Sequence, residues 1–355
     1  MIGNTPEELK KTKKLYNSAF PKNERRSFSE LVKNRLGGTE VFCFYDEETF
    51  VGMACLLNSP TISHIIYLAV EESLRGRGYG SKALELIHRS KSGRKIMVDI
   101  FGEALGVNCE KVELNEITPT ELEKASIEAL RSDGRVIFDQ SGMLVNAENP
   151  ISDENAPSLS EYKDTGVVMN ECVREAYGKL SAAVSENTGA RLLISSSYRT
   201  QEEQEALYAE DPSTANLPGT SEHQTGLALD VYVKFYAGFG FVKSDAGRFV
   251  NSNCWKYGFI IRYPVYGQNE TGMKYEPWHI RYVGEPHAKI IYNNHLTFEE
   301  YVRLLGEGKW YETEGYLISR QKASADGELS LPENFSSAVI SSDNAGGYII
   351  TLSIK

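Results

Sequence analysis

Two short stretches, residues 221–230 and 276–279, constrain this chain more than any other part of it. The first reads Ser221-Glu222-His223-Gln224-Thr225-Gly226-Leu227-Ala228-Leu229-Asp230, the second Glu276-Pro277-Trp278-His279. A catalytic zinc takes three protein ligands and keeps a fourth position open. His223, Asp230 and His279 offer two imidazoles and one carboxylate, so the fold must bring residues far apart in the chain to one point. Glu276, just upstream of the last ligand, can stand beside a metal without binding it. From there it can take a proton from an attacking water and pass it to a leaving amine. Gly226 and Ala228 are small, which suits a loop entering a strand close to a metal, and the Pro277 ring stiffens the approach to His279. His64, His88, His287 and His295 lack such a pattern and are read as ordinary structural histidines.

A second feature is Ser196-Ser197-Tyr198-Arg199-Thr200, with Gln204 one turn into the helix that follows. An arginine at a strand-to-helix corner can grip a carboxylate through two parallel hydrogen bonds. An enzyme acting only at a chain end needs such a grip on the terminal carboxylate. Ser221 can add a further hydrogen bond, and Tyr198, Gln204 and Trp278 join Arg199 as candidate substrate-binding residues. The competing reading of Arg199 is a surface ion pair with Glu202 or Glu203.

The stretch from Met143-Leu144-Val145-Asn146 through Ser197-Tyr198-Arg199, residues 221–230 and Glu276-Pro277-Trp278-His279-x-Arg281-Tyr282 closely resembles the VanY-type D-alanyl-D-alanine carboxypeptidases. That resemblance implies an α+β fold shared with lysostaphin-like and hedgehog-like domains. It also implies zinc on His223, Asp230 and His279, with Glu276 as the catalytic residue and Arg199 and Ser221 as contacts to the substrate carboxylate. The implied substrate is a peptidoglycan-type peptide ending in a D-amino acid, either a D-Ala-D-Ala-ending precursor or the dipeptide. An L,D-carboxypeptidase acting on tetrapeptides remains an alternative, because metal motifs do not report the pocket for the penultimate residue.

The first hundred residues read differently. Strands are expected over residues 41–45, 50–57, 65–70 and 96–100, with helices over 9–20 and 79–88. The sequence Arg75-Gly76-Arg77-Gly78-Tyr79-Gly80 joins a strand to a helix, and backbone N–H groups at such a corner can cradle a pyrophosphate. In this order the segment resembles the GNAT-type N-acetyltransferases, whose acetyl-CoA loop maps onto Arg75, Gly76, Arg77, Gly78, Tyr79 and Gly80. It implies a mixed-sheet domain and acetyl-CoA as a second cofactor. An acetyltransferase with an accessory peptidase-like domain is therefore a further functional alternative.

The expected organisation is a GNAT-like domain over residues 1–110, a connecting segment over 111–140, the zinc peptidase domain over 141–305 and a β-rich extension over 306–355. A helix is expected over residues 118–131, with Thr118 as its cap, and another over 167–185. The chain has 355 residues, 41% of them hydrophobic and 25% charged, with a formal net charge of -11. Domains of roughly 100–200 residues make two or three of them the expectation. The acidity lies beyond residue 100, which argues against nucleic acid as a partner. The five cysteines form no C-x-x-C pair and read as free thiols of a reducing compartment. With no secretory h-region and no long apolar run, a cytoplasmic protein without a membrane span is expected.

Overall fold

The computed structural model describes residues 5–20, 27–32, 39–58, 62–75, 77–91, 95–98, 111–152, 155–212 and 215–354. The chain divides into two units, Met1–Asn108 and Cys109–Lys355. Among the described residues, no helix is long and apolar enough to cross a membrane.

In the first unit, helix Pro6–Ala19 opens with a capping box: the Thr5 hydroxyl accepts from the Glu8 N–H, and the Glu8 carboxylate accepts from the Thr5 N–H. Strands Thr39–Asp46, Thr49–Asn58 and Ile62–Val70 pair antiparallel in sequence order, and Lys95–Val98 adds parallel to the third. A parallel neighbour requires a crossover, which helix Tyr79–Ser90 supplies. The central strand alternates its side chains between two faces. Met53 and Cys55 pack with Leu15 and Tyr16 of the first helix and with Phe20, which caps it, while Ala54 and Leu56 pack with Ala83 and Ile87 of the crossover helix. The expected strand over 96–100 is seen only as Lys95–Val98, and residues 99–100 lie outside the described ones.

The second unit holds a four-stranded antiparallel sheet in the order Leu193–Ser196, Ala228–Tyr232, His279–Tyr282, Phe259–Ile261. One face is apolar: Leu229, Val231 and Ile280 pack on Val173, Tyr177, Leu180 and Val184 of helix Glu171–Thr188. Those four positions follow the helical period and form one stripe. The helix starts later than expected. Asn170 caps it, and Val168–Asn170 instead pairs as a strand with Leu159–Glu161.

The expected helix over 118–131 is largely corrected. Only Ile127–Ser132 is helical, capped by Ser126, and Glu123–Ser126 is a strand paired with Glu328–Leu331. Pairing with a segment from the far end of the chain overrides the local helical signal at Thr118 and Pro119.

Strands from residues 111–140 and 306–355 close into one six-stranded sheet. Its order is Asn115–Ile117, Trp310–Thr313, Tyr316–Gln321, Tyr348–Ser353, Ser337–Ser342, Val136–Asp139. One side buries Leu130, Val136, Trp310, Leu317, Ile340, Ile350 and Leu352. On the other, Tyr311, Ile318 and Ile349 pack on Ile291, Phe298 and Tyr301 of helices Glu285–Asn293 and Phe298–Leu304. His287 is buried at this junction, within 2.6 Å of the Tyr301 hydroxyl and 2.8 Å of the Thr351 hydroxyl, which agrees with its structural reading.

Gly226 shows how tightly the strand Val168–Asn170 backs the 221–226 turn. Its φ is +68°, and a Cβ there would lie 2.7 Å from the Asn170 backbone nitrogen. Gly189 has a similar φ of +69° with nothing within 4 Å of the same position. Alanine at Gly189 therefore carries only the left-handed backbone cost of about 1–2 kcal/mol. Gly226→Ala adds a backbone collision and is expected to destabilise at least about twice as much. Denaturant unfolding of the two variants checks this, and equal losses would contradict the packing account.

Candidate metal centre and substrate cleft

Residues 222–225 form a single 3₁₀ turn, Glu222–Thr225, that Gly226 ends in the left-handed conformation. The turn is buried, with His223 only 5% exposed. Nδ1 of His223 lies 2.9 Å from the Ser197 carbonyl oxygen, which accepts its proton and leaves Nε2 free to accept. That Nε2 stands 3.4 Å from Oδ2 of Asp230.

The strand register supplies the third member. Asp230 lies directly opposite His279, so both side chains rise from the sheet face away from the apolar core. Nδ1 of His279 is 3.1 Å from Oδ1 of Asp230. One ligand atom from each of His223, Asp230 and His279 lies within 4.8 Å of the others, the one such group among the described residues. Oδ1 of Asp230 is buried without a hydrogen-bond partner. A buried carboxylate oxygen left so is costly, and a cation between the carboxylate and two imidazoles removes that cost. The donor set fits a catalytic zinc site.

The charges agree. Burial opposes ionisation of Asp230, but the neighbouring imidazoles of His223 and His279 hold its pKa well below the usual carboxylate range. Burial likewise works against a charged His279, yet Asp230 and Glu222 raise its pKa to about 10.

Glu276 lies beside this group, with Oε2 3.7 Å from Nδ1 of His279. Burial raises its pKa, opposed by His279 and reinforced by Asp230. It is thus a carboxylate of increased basicity next to the three ligands.

Arg199 sits on the turn between strand Leu193–Ser196 and helix Gln201–Glu210. Its Nη1 donates to Gln204 Oε1 at 2.6 Å and its Nη2 to Ser196 Oγ at 3.0 Å. It pairs with neither Glu202 nor Glu203, and Glu203 instead closes the capping box of Thr200. The surface-pair reading is therefore set aside. Gln204 is fully buried and also donates to the Asn216 carbonyl at 2.6 Å, so it holds the guanidinium from behind. Ser221 is 1% exposed at the start of the turn. Trp278 packs its ring at 4.9 Å against the exposed Phe239, and the Tyr198 N–H donates to the Val168 carbonyl at 3.0 Å.

Four charged residues escaped the sequence reading as a group. Oε1 of Glu222 accepts from Arg262 Nε at 2.7 Å and Arg281 Nη1 at 2.8 Å. Arg262 also donates twice to Glu299, at 2.9 and 2.6 Å. Glu222, Arg262 and Arg281 are all essentially inaccessible. The available signal was an arginine just after one apolar strand and another inside a second, in Ile260-Ile261-Arg262-Tyr263 and His279-Ile280-Arg281-Tyr282.

In the first unit, Gly78 is the left-handed cap of helix Tyr79–Ser90, and Arg75, Arg77 and Gly78 are exposed. The Tyr79 hydroxyl donates to Asp46 at 2.6 Å. Gly80 lies in the first turn of the helix, and Gly76 lies outside the described residues.

Comparison with known proteins agrees with this division. Residues 166–285 match the family model of VanY, D-alanyl-D-alanine carboxypeptidase, and residues 9–104 match that of the acetyltransferase (GNAT) family. A D-alanyl-D-alanine carboxypeptidase of Enterococcus faecium is 31% identical over 237 residues, covering 61% of this chain and 76% of the relative. The bifunctional D-Ala-D-Ala dipeptidase and carboxypeptidase VanXYC of Enterococcus gallinarum is 34% identical over 44% of this chain and 91% of its own. The solved structure of the D,D-dipeptidase VanXYg with a D-Ala-D-Ala phosphinate analogue is 27% identical. It covers 66% of this chain and 98% of its own, with a TM-score of 0.53. The chain belongs to the VanY family of D-alanyl-D-alanine carboxypeptidases, and ahead of the VanY match its residues 9–104 are similar to the GNAT acetyltransferase family.

Proposed function

We propose that this protein holds one zinc ion on His223, Asp230 and His279 and hydrolyses the last peptide bond of peptidoglycan-type peptides ending in D-Ala-D-Ala, or of the dipeptide itself. The observation that carries the reading is the convergence of these three ligand atoms beside a separate basic carboxylate, Glu276. Bound zinc supplies Lewis acidity, polarising the scissile carbonyl and acidifying water. Glu276 accepts the proton of the attacking water and delivers it to the leaving amine nitrogen, so the C–N bond breaks as the new C–O bond is kept. Arg199, oriented by Gln204 and Ser196, grips the terminal carboxylate of the substrate, with Ser221, Tyr198 and Trp278 lining the approach.

Zinc must displace the proton that His279 holds in the metal-free protein. Its raised pKa of about 10 means that the proton is bound at neutral pH and lost only as pH rises through that value. Zinc binding near pH 7 is therefore expected to release about one proton, and zinc affinity to fall about tenfold for each pH unit between 9 and 7. Titration calorimetry in buffers of different ionisation enthalpy measures both. A pH-independent affinity would show that His279 holds no proton for zinc to displace.

Glu276→Gln should retain zinc but lose at least about a hundredfold in kcat on a D-Ala-D-Ala-ending pentapeptide. A variant with near-normal turnover would take Glu276 out of the proton path.

Amidating the substrate's C-terminus is expected to lower kcat/KM by at least about a hundredfold in the wild type, because the guanidinium loses its anionic partner. Arg199→Ala should lose activity on the free acid and discriminate far less against the amide. Two losses that simply multiply would show that Arg199 does not touch the carboxylate.

A further inference from the structure

The orientation of His279 poses a question that the three ligands do not answer. Its Nδ1 faces Asp230 and Glu276. Its Nε2 points the opposite way, into the protein, where it is buried and has no hydrogen-bond partner. One other buried orphan faces it: Oε2 of Glu222, 3.7 Å away and also without a partner. Oε1 of the same carboxylate is occupied by Arg262 and Arg281. Arg262 is held in turn by Glu299, and Arg281 donates to the backbone carbonyls of Ser141 and Met143 at 3.2 and 2.7 Å. One edge of the carboxylate is thus locked, and the other is aimed at an imidazole nitrogen.

We propose that Glu222 is a positioning residue for the metal centre: its Oε2 accepts the Nε2–H of His279 and so fixes the tautomer and ring direction that present the Nδ1 lone pair to the metal. The inference rests on the zinc reading above and extends it to a residue that touches neither metal nor substrate. A small rotation of the imidazole closes the remaining gap and satisfies two buried groups at once. A carboxylate behind a ligating imidazole makes the ring a stronger donor and holds its direction. The two arginines are what allow an ionised carboxylate to stay in this interior position.

Glu222→Gln separates this role from simple packing. The glutamine oxygen must face the two guanidinium groups, because turning the amide would set its N–H donors against theirs. Its NH2 group then points at His279 and favours the tautomer with the proton on Nδ1, which blocks that nitrogen as a ligand. Glu299→Gln is the comparison, since it removes a charge from the same Arg262 without facing His279.

Zinc affinity of the full chain, measured by chelator competition with zinc alone, is expected to fall about 10–100-fold in Glu222→Gln. It should change by less than about threefold in Glu299→Gln, whatever either variant loses in stability. Equal losses in the two variants, or wild-type affinity in Glu222→Gln, overturn the proposal while the zinc reading stands. A wild type that binds no stoichiometric zinc overturns both. Should Glu222→Gln fail to fold, nitrogen-15 NMR of the zinc-loaded wild type decides. A proton on Nε2 of His279 is expected, and a proton on Nδ1 overturns the assignment.

Discussion

The antiparallel pairing of Ala228–Tyr232 with His279–Tyr282 sets Asp230 opposite His279, and the geometry of the site follows from that register. Strand side chains alternate between faces, so the same pairing sends Leu229, Val231 and Ile280 into the core against helix Glu171–Thr188. A slip of one residue would exchange the two sets, burying ligands in the apolar layer and exposing the core. The hydrophobic face therefore holds the metal face in place. His223 joins from the buried Glu222–Thr225 turn, whose close approach to Asn170 requires the glycine at 226.

Behind the ligands lies a second layer of charge. Glu222 and Glu299 balance Arg262 and Arg281, a network with no net charge. Such buried pairs add little stability over apolar packing, but removing one partner is severe because the other is left uncompensated. Their value here is placement. Glu299 belongs to helix Phe298–Leu304, which also packs against the C-terminal sheet. Arg281 fixes the backbone at Ser141 and Met143, and the Asn146 amide donates to Glu299 at 3.1 Å. The Met143–Asn146 stretch, which shares no atom with the ligands, is thereby tied to them through two arginines.

Two further charged groups accompany the ligand residues: Arg199 on the turn after strand Leu193–Ser196, and Glu276 beside His279. Arg199 is held by Gln204 and Ser196 rather than by an ion pair with an acid, as the proposed carboxylate grip requires. Glu276 follows the same economy: burial keeps it basic, while the turn to His279 keeps it close. In the N-terminal unit, the parallel strand forces a crossover helix, and the left-handed Gly78 opens that helix with exposed backbone.

The sequence by itself determined the proposed chemistry. Zinc ligation tolerates few residue types, so His223, Asp230, His279 and Glu276 could be proposed from identity and local pattern, as could most strands from their two-residue alternation. Arg199 was legible in the same way, as a lone cation at a strand-to-helix corner. What only the tertiary structure decided was which distant segments meet. Thr118 and Pro119 carry a sound local helix signal, yet Glu123–Ser126 pairs with Glu328–Leu331. Residues 111–140 and 306–355 close into one sheet, and neither shows that in its own composition. Gln204 is a buried support for Arg199, and Glu222 meets Arg262 and Arg281 across long stretches of chain. Ligand identity is a property of single side chains. Pairing, burial and charge compensation are free energies of contact between remote residues, and they acquire a value only once the chain has closed.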